Sequence, residues 1–358
     1  MVNRIGDFQR RDILRGLGGA AVAAAFGSVG LRPGRAAAQA QKPAEDGKRQ
    51  LFTPYSKSAK VSLVKGNDRR EIILQTLKSI EDDVLASLAS KKRILVKPNF
   101  VSTTRALAAS HADEIRAILD FFKPRFKGEI IVGESAPSKN GTFEGYQNFG
   151  YLPLEKEYGI KLVDLNKEPW VYRYVFSRDH TPIPIRIIST FLDRDTYIVS
   201  AAKMKTHDRA ITTLSLKNTL IGAPLNDGKR NDKGLTHQGY NFTPKETLHF
   251  NMFHLAQEIW PDLGIIDGFE AMEGNGPVGG TPVDAKVALA SLDPLALDIL
   301  TTKIMGFDPW KVPYVKAMIE AGMGQGDLTK VQVLGTPVEQ CQFKFKPNEK
   351  IAEAYGLN

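Results

Sequence analysis

The chain has 358 residues, of which 42% are hydrophobic and 25% are charged, and its formal net charge is +8. These proportions are close to those of soluble globular proteins, so they exclude a collagen, a coiled coil, a disordered chain and a polytopic membrane protein. A single cysteine, Cys341, excludes an internal disulfide, a zinc ribbon and an iron–sulfur cluster held by four thiolates of this chain.

Residues 1–40 have the pattern of an export signal. Arg10 and Arg11 form a twin-arginine pair, and residues 16–31 carry no charge. That uncharged stretch is shorter and less apolar than the roughly 20 apolar residues of a membrane span. Small residues around 36–40 match a cleavage site. We therefore predict a twin-arginine signal peptide, the twin-arginine translocase as a partner, and a periplasmic or otherwise exported protein, with an ordinary secretory signal or an uncleaved anchor as the alternatives.

Half of the net charge belongs to this segment. Residues 1–40 hold six arginines and two aspartates, so the remainder of the chain has a formal charge of only +4. The basic residues also do not alternate with aromatic residues in a stripe. Nucleic acid is therefore not an expected partner.

After a polar linker predicted at 41–58, short apolar runs alternate with helical patterns. The runs predict strands that begin near residues 61, 94, 130, 162, 171, 183, 196, 263 and 286. Helical spacing predicts helices over 69–90, 111–123, 245–259 and 310–321, and a further helix that Pro294 opens.

This alternation predicts an α/β fold with a mixed, mostly parallel sheet flanked by helices, and two lobes with a site between them as one option. We assign the α/β domain to 59–335 and a C-terminal tail to 336–358. Residues 222–244 are rich in Gly, Asn, Asp, Lys and Thr, which is typical of a long functional or disordered loop.

Polar side chains cluster where the predicted strands end, which is where ligands bind in open α/β sheets. Several lysines and a histidine converging there favour an anion site, and a lysine crowded by other cations can act as a base or nucleophile. The catalytic candidates are Lys205, His207 and Lys217. The ligand-binding candidates are Lys97, Asn99, Lys203, Thr213, Asn218 and Asn275.

Acidic residues follow another strand and leave two interpretations open. Asp267 and Glu273 are the candidates for holding a divalent metal or for acting as a base beside the lysines. The alternative is a glycine-rich turn with solvated carboxylates, because Asn275 lies in a Gly-Asn-Gly-Pro sequence. The sequence names no cofactor.

Five motifs occur in an order that resembles the family called domain of unknown function 362. They are Lys97-Pro98-Asn99 and the segments 203–207, 213–218, 272–277 and 291–298, and the resemblance spans roughly residues 60–325. Many members carry a ferredoxin-like segment with clustered cysteines, which implies redox chemistry. Because this chain has only Cys341, it holds no iron–sulfur cluster of its own, and such chemistry would need a separate redox partner.

These patterns together predict an exported protein that binds a small anionic ligand or cofactor at a Lys/His/Asp site. Conversion of that ligand by the protein is one option. Non-catalytic cofactor or metal binding, or a maturation role, is the other.

Overall fold

The structure is a computed structural model that describes residues 55–238 and 247–357. The predicted signal peptide at 1–40 and most of the predicted linker at 41–58 lie outside the described residues. Within the described ranges, no helix is long and apolar enough to cross a membrane.

The described residues form twelve strands, which we number in chain order. They are β1 Ala59–Lys65, β2 Arg93–Lys97, β3 Glu129–Glu134, β4 Lys161–Asp164, β5 Trp170–Phe176, β6 Pro182–Ile188, β7 Thr196–His207, β8 Ile211–Thr213, β9 Leu263–Glu273, β10 Thr281–Val283, β11 Val287–Ser291 and β12 Val331–Gly335.

Eleven α-helices are found in the same part of the chain. They are α1 Arg69–Lys78, α2 Glu81–Leu88, α3 Ala112–Phe122, α4 Thr142–Asn148, α5 Pro153–Tyr158, α6 Ser215–Gly222, α7 Asp232–His237, α8 Thr247–Leu255, α9 Pro294–Ile304, α10 Pro313–Glu320 and α11 Glu349–Ala352.

Ten strands form one sheet, and β5 with β6 forms a separate antiparallel hairpin. The order along the main sheet is β12-β1-β11-β9-β7-β2-β3-β4, with β10 beside β9 and β8 beside β7. β7, β2, β3 and β4 are parallel neighbours, while β11 runs antiparallel to β1 and to β9. The predicted mixed, mostly parallel α/β sheet is therefore confirmed, and the two-lobe option stays a prediction.

Hydrophobic clusters cover both faces of the main sheet, and β7 shows why. All twelve residues of β7 are buried. Tyr197, Val199 and Ala201 pack into the cluster that includes α1–α5, while Ile198 and Ala202 pack into the cluster that includes α6 and α8–α10. Successive side chains of a strand point to opposite faces, so a strand that is buried at every position must be covered on both sides.

The predicted helix over 69–90 is two helices. α1 ends at Lys78, Ser79 caps it, and Ile80 has a non-helical backbone with φ −123° and ψ 22°. Leu77 and Ile80 are both buried across this break. Because apolar spacing continues through the junction, periodicity alone does not reveal it.

The residues of the predicted C-terminal tail pack against the domain. Cys341, Phe345, Ile351 and Tyr355 are buried in the cluster that includes α9 and α10. Residues 222–238 of the predicted long loop are also ordered by secondary structure, because they include α7 and a bridge between Asn226 and Asn231.

Candidate anion-binding site

A small cavity lies at the carboxyl ends of β2, β3 and β7. These strands are parallel, with β2 between the other two, so their ends meet at one edge of the sheet. The cavity has a volume of about 70 Å³. Seven predicted site residues line it: Lys97, Asn99, Lys205, His207, Thr213, Lys217 and Asn218.

The volume limits the ligand. One water needs roughly 10–15 Å³ of such space, so the cavity has room for about five to seven atoms of that size. Most drug-sized ligands occupy cavities of about 300 Å³ or more. The cavity therefore suits a small anion and is too small for a nucleotide.

Lys97 is held by the protein itself. Its Nζ donates to both carboxylate oxygens of Glu134, at 3.1 and 3.0 Å, and to Oδ1 of Asn218 at 3.0 Å. Glu134 also accepts the backbone N–H groups of Phe100, at 3.0 Å, and of Ser135, at 2.6 Å. Both charges of this buried pair are therefore satisfied internally, as burial of a charge requires.

Lys205 is held in the same way. Its Nζ donates to Oδ1 of Asn99 at 2.6 Å and to the carbonyl of Ala108 at 2.7 Å. Asn99 in turn donates from Nδ2 to Oδ1 of Asn218 at 3.0 Å. Burial is the main cause that holds the pKa of Lys205 well below its usual range, and the neighbouring Lys217 lowers it further. We call Lys97, Asn99, Glu134, Lys205 and Asn218 the anchored network.

Lys233 of α7 closes the cavity from another side. Its Nζ donates to Oγ of Ser135 at 2.9 Å and to the carbonyls of Ile221 and Gly222 at 3.0 and 2.8 Å. Burial lowers the pKa of Lys233 to about 7, and the Glu134 carboxylate opposes that effect. Three acceptors occupy its three N–H groups, so this lysine has no free donor for a ligand.

Lys217, His207 and Thr213 differ from these residues, and we call them the free trio. The Lys217 amine makes no hydrogen bond within the described part of the chain, although only 7% of the residue is exposed. The Thr213 hydroxyl is buried and has no hydrogen-bond partner among the described residues. Unpaired buried polar groups are costly, so groups of this kind that line a cavity indicate a missing partner.

His207 presents a defined proton donor. Its Nδ1 accepts the backbone N–H groups of Arg209, at 3.0 Å, and Ala210, at 3.2 Å. That nitrogen therefore carries no proton, and the proton of the neutral ring lies on Nε2. Burial, followed by the Lys217 charge, holds the pKa of His207 well below its usual range. The 3.1 Å approach of the Asp208 carboxylate to Nδ1 is accordingly not an ion pair.

Burial also changes the acidity of Lys217. Loss of hydration lowers its pKa to about 8, and Asp208 opposes this, while the cations of Arg209 and Lys97 act in the same direction as burial. An ammonium group with this environment is positively charged at neutral pH but gives up its proton readily. A bound anion would add to the partial compensation that Asp208 gives this charge.

The helix that carries Lys217 is capped from a distance. α6 has no side-chain cap of its own at Leu214. Instead, the carboxyl group of Asp298 in α9 accepts the backbone N–H groups of Ser215 and Leu216, at 2.9 and 3.0 Å. Burial raises the pKa of Asp298 to about 8, against the effect of these two bonds. Asp298 therefore positions α6 without contacting the cavity.

Glycine is required where α6 meets the Lys97 side chain. A Cβ atom on Gly222 would lie 2.0 Å from Cε and 2.9 Å from Nζ of Lys97. This close approach lets the last turn of α6 pack against the anchored network. The carbonyl of Gly222 also accepts hydrogen bonds from Ser135 and Lys233.

Two predicted residues lie in a different buried cluster. Lys203 pairs with Asp267 in the β7–β9 register, whereas Lys205 pairs with Met272, so the register shifts between the two lysines. Lys203 and Asp267 interact electrostatically with Glu114 of α3, whose pKa burial raises well above its usual range. Asp267 also forms an ion pair with Arg69 at 3.2 Å. Neither Lys203 nor Asp267 lines the cavity, because each lies deeper in the sheet than the strand ends.

Glu273 and Asn275 also lie away from the cavity lining. Glu273 accepts the backbone N–H of Lys346 at 2.9 Å, and Asn275 accepts that of Glu349. Both therefore contact the C-terminal segment. Across the described ranges, no three His, Cys, Asp or Glu side chains are grouped as metal ligands would be.

Several residues of the site are not among the sequence candidates. Glu134 ends β3 and Ser135 follows it, so their strand-end position is a signal that the sequence offers. Asp298 ends the motif 291–298, but its spacing is that of an ordinary helix residue. Lys233 offers no signal, because α7 lies in a polar stretch. Gly222 was also missed, since only the approach of Lys97 explains it.

Three comparisons relate the chain to known proteins. A family model described as "Domain of unknown function (DUF362)" matches residues 94–303. The chain is 29% identical, over 234 residues, to the thylakoid-associated protein sll1697 of Synechocystis sp.. The aligned residues cover 64% of this chain and 68% of that protein. A crystal structure of a Thermotoga maritima protein aligns with a TM-score of 0.38 and 11% identity, over 61% of this chain and 55% of that one.

Proposed function

Because this chain belongs to the DUF362 family, whose name states no activity, we propose its function from the cavity itself. The protein binds a small anion of about five to seven non-hydrogen atoms at the ends of β2, β3 and β7. The ligand contacts the free trio, and the anchored network forms a preorganised polar wall behind it.

The observation that carries the proposal is the unpartnered amine of Lys217. Among the described residues that line the cavity are four lysines, namely Lys97, Lys205, Lys217 and Lys233, and one carboxylate, that of Glu134. Glu134 already binds Lys97. The excess of positive charge is therefore local to the cavity and is greatest beside Lys217, where an anion replaces the lost hydration.

The three free donors differ in kind, which favours an oxyanion. A carboxylate or phosphate accepts a charged bond from Lys217, a neutral N–H bond from Nε2 of His207 and a hydroxyl bond from Thr213. Since none of these groups has to break a hydrogen bond to a described residue first, the pocket is already organised for the ligand.

We test this by isothermal titration calorimetry of the purified chain with phosphate, sulfate, acetate and lactate at pH 7. At least one of these anions is expected to bind with one-to-one stoichiometry. Lys217→Met is expected to weaken binding by about tenfold to a hundredfold, the factor that corresponds to losing one charged hydrogen bond.

Lys316→Met is the matched control, because Lys316 is an exposed lysine on α10 that pairs only loosely, at 3.9 Å, with Glu320. It changes the net charge equally and should leave binding unchanged. Equal affinities of the Lys217→Met variant and the parent protein would contradict the proposal, as would a failure of every anion to bind.

We also propose that the protein is exported before it acts. The twin-arginine pair at Arg10–Arg11, the uncharged stretch at 16–31 and the small residues around 36–40 support this. The twin-arginine route carries folded proteins, so a pocket of this kind would be complete before export.

A further inference from the structure

We propose that Lys217 forms a covalent imine with the carbonyl group of a small 2-oxo acid held in this cavity. This inference rests on the proposed anion site and names the class of its ligand. The carboxylate of the 2-oxo acid supplies the anion, and the adjacent carbonyl is the group that the free amine attacks.

Hydrogen bonding distinguishes Lys217 from the other lysines of the cavity. An imine nitrogen keeps at most one hydrogen, so an amine that forms an imine gives up its other N–H groups. Lys205 would lose bonds to Asn99 and Ala108, and Lys233 would lose bonds to two carbonyls and Ser135. Lys217 has no protein hydrogen bond to lose within the described residues.

The protonation state of Lys217 also suits a nucleophile. Its pKa is about 8, mainly because of burial. About a tenth of the amine is therefore unprotonated at pH 7, against less than a thousandth for a solvated lysine. The Nε2–H of His207 and the hydroxyl of Thr213 remain as donors to the carboxylate while the amine itself is neutral.

The size of the cavity favours the smallest members of the class. Its volume of about 70 Å³ admits a ligand such as glyoxylate or pyruvate. Larger 2-oxo acids would have to extend through the mouth of the cavity. A carboxylate beside a carbonyl also presents oxygens to both remaining donors, the Nε2–H of His207 and the hydroxyl of Thr213.

The bonding changes balance without an oxidant or reductant. The lone pair of Nζ forms a bond to the carbonyl carbon, and the π electrons of the carbonyl move to its oxygen. The Thr213 hydroxyl both accepts and donates, so it can carry a proton from nitrogen to that oxygen and give the carbinolamine. With one further proton from water, the C–O bond breaks, water leaves, and the nitrogen lone pair forms the iminium bond. His207 keeps its proton and stabilises the oxygen.

The test is reductive trapping of the full chain with sodium borohydride in the presence of pyruvate or glyoxylate. Intact mass and peptide mapping are expected to show one reduced adduct, located on Lys217. Lactate has no carbonyl and should give no adduct. Lys217→Met and Lys217→Arg should both abolish trapping, while Lys316→Met should trap as the parent does.

Lys217→Arg separates the two proposals, because arginine keeps the positive charge but forms no imine under these conditions. We expect it to bind lactate within about tenfold of the parent affinity, as measured by calorimetry, because a charged donor is retained. An adduct on Lys205 or on exposed lysines only would overturn the imine, as would binding of pyruvate without any adduct. In the latter case the anion site would stand, whereas failure of every anion to bind would overturn both.

Discussion

The lysines of the cavity differ in what their ammonium groups contact. Lys97 has a carboxylate partner in Glu134, while Lys217 has no hydrogen-bonding partner among the described residues. A buried charge that loses its partner is strongly destabilising, whereas removal of a buried charge that had none leaves nothing unpaired. The same substitution should therefore act in opposite directions at these two positions.

Lys97→Met should lower the free energy of unfolding by about 3–5 kcal/mol, because it leaves the Glu134 carboxylate buried and unpaired. Lys217→Met should leave that free energy unchanged or raise it. Urea denaturation at pH 7 without added anions measures both. A Lys217→Met protein destabilised as much as Lys97→Met would show that Lys217 has a structural partner.

The pKa of Lys217 makes a second prediction, on the pH dependence of stability. The amine has a pKa of about 8 in the folded protein and 10.5 in an unfolded chain. Between these values the unfolded chain binds more protons, so the free energy of unfolding rises with pH, by about 3 kcal/mol in total. This contribution is absent below pH 8, where the amine is charged in both states.

Denaturation of the parent and of Lys217→Met at pH 7 and at pH 10 measures this effect. Lys205 and Lys233 contribute in the same direction in both proteins, so the difference between the two proteins reports Lys217 together with its lowering of the Lys205 and Lys233 pKa values. We expect the parent to gain stability relative to the variant as the pH rises. An identical pH dependence in both proteins would contradict the lowered pKa.

Among the secondary-structure elements, α6 determines where the free trio meets. It carries Lys217 and Asn218, and its first turn depends on Asp298 of α9. Ser215 and Leu216 are buried, so water cannot replace the carboxyl oxygens as acceptors for their N–H groups. Asp298 is therefore a positioning residue for the anion site.

Asp298→Ala should lower the free energy of unfolding by about 2–4 kcal/mol, because two buried N–H groups lose their acceptor. It should also weaken anion binding by shifting α6. Asp298→Asn keeps one acceptor oxygen for the two N–H groups, so it should restore part of both properties. Thermal denaturation measures the stability and calorimetry measures the anion affinity. An alanine variant that binds anions as tightly as the parent would contradict the positioning role of Asp298.

Prediction of elements from the sequence succeeded where burial is complete and failed where chain direction changes. The strands that end at Lys97 and His207 contain short apolar runs, because helices cover both of their faces. The break at Ser79–Ile80 leaves the apolar spacing intact, so it is invisible to periodicity. α7 is also hidden, since it is short and its buried Lys233 reads as a loop residue.

For the protein as a whole, the fold described here begins at residue 55, downstream of the predicted signal at 1–40. Replacement of Arg10 and Arg11 by lysine should block export through the twin-arginine route and retain the protein in the cytoplasm of a host that has this pathway. Cell fractionation with immunodetection measures the distribution. The purified double variant should bind anions as the parent does, because the described residues that line the cavity all lie between Lys97 and Pro277. Unchanged export of the double variant would contradict the prediction.

The sequence alone determined the buried strands, the polar residues near their ends, the family and the α/β class. The apolar runs specify buried strands, and the polar residues that follow them, such as Lys97, Lys205 and Lys217, are expected at one edge of a parallel sheet. The family and the α/β class follow from the same motifs. These features are local in the chain, so a sequence displays them directly.

Only the tertiary structure decided which of these side chains are free. The β7–β9 register places Lys203 with Asp267, away from Lys205, and the meeting of β2, β3 and α6 occupies Lys97 with Glu134 and Asn218. Hydrogen-bond partners come from residues distant in the chain, so composition and spacing do not reveal them. Lys217 is distinguished by having no hydrogen-bond partner in the described part of the chain, and that property exists only after the sheet edge has assembled.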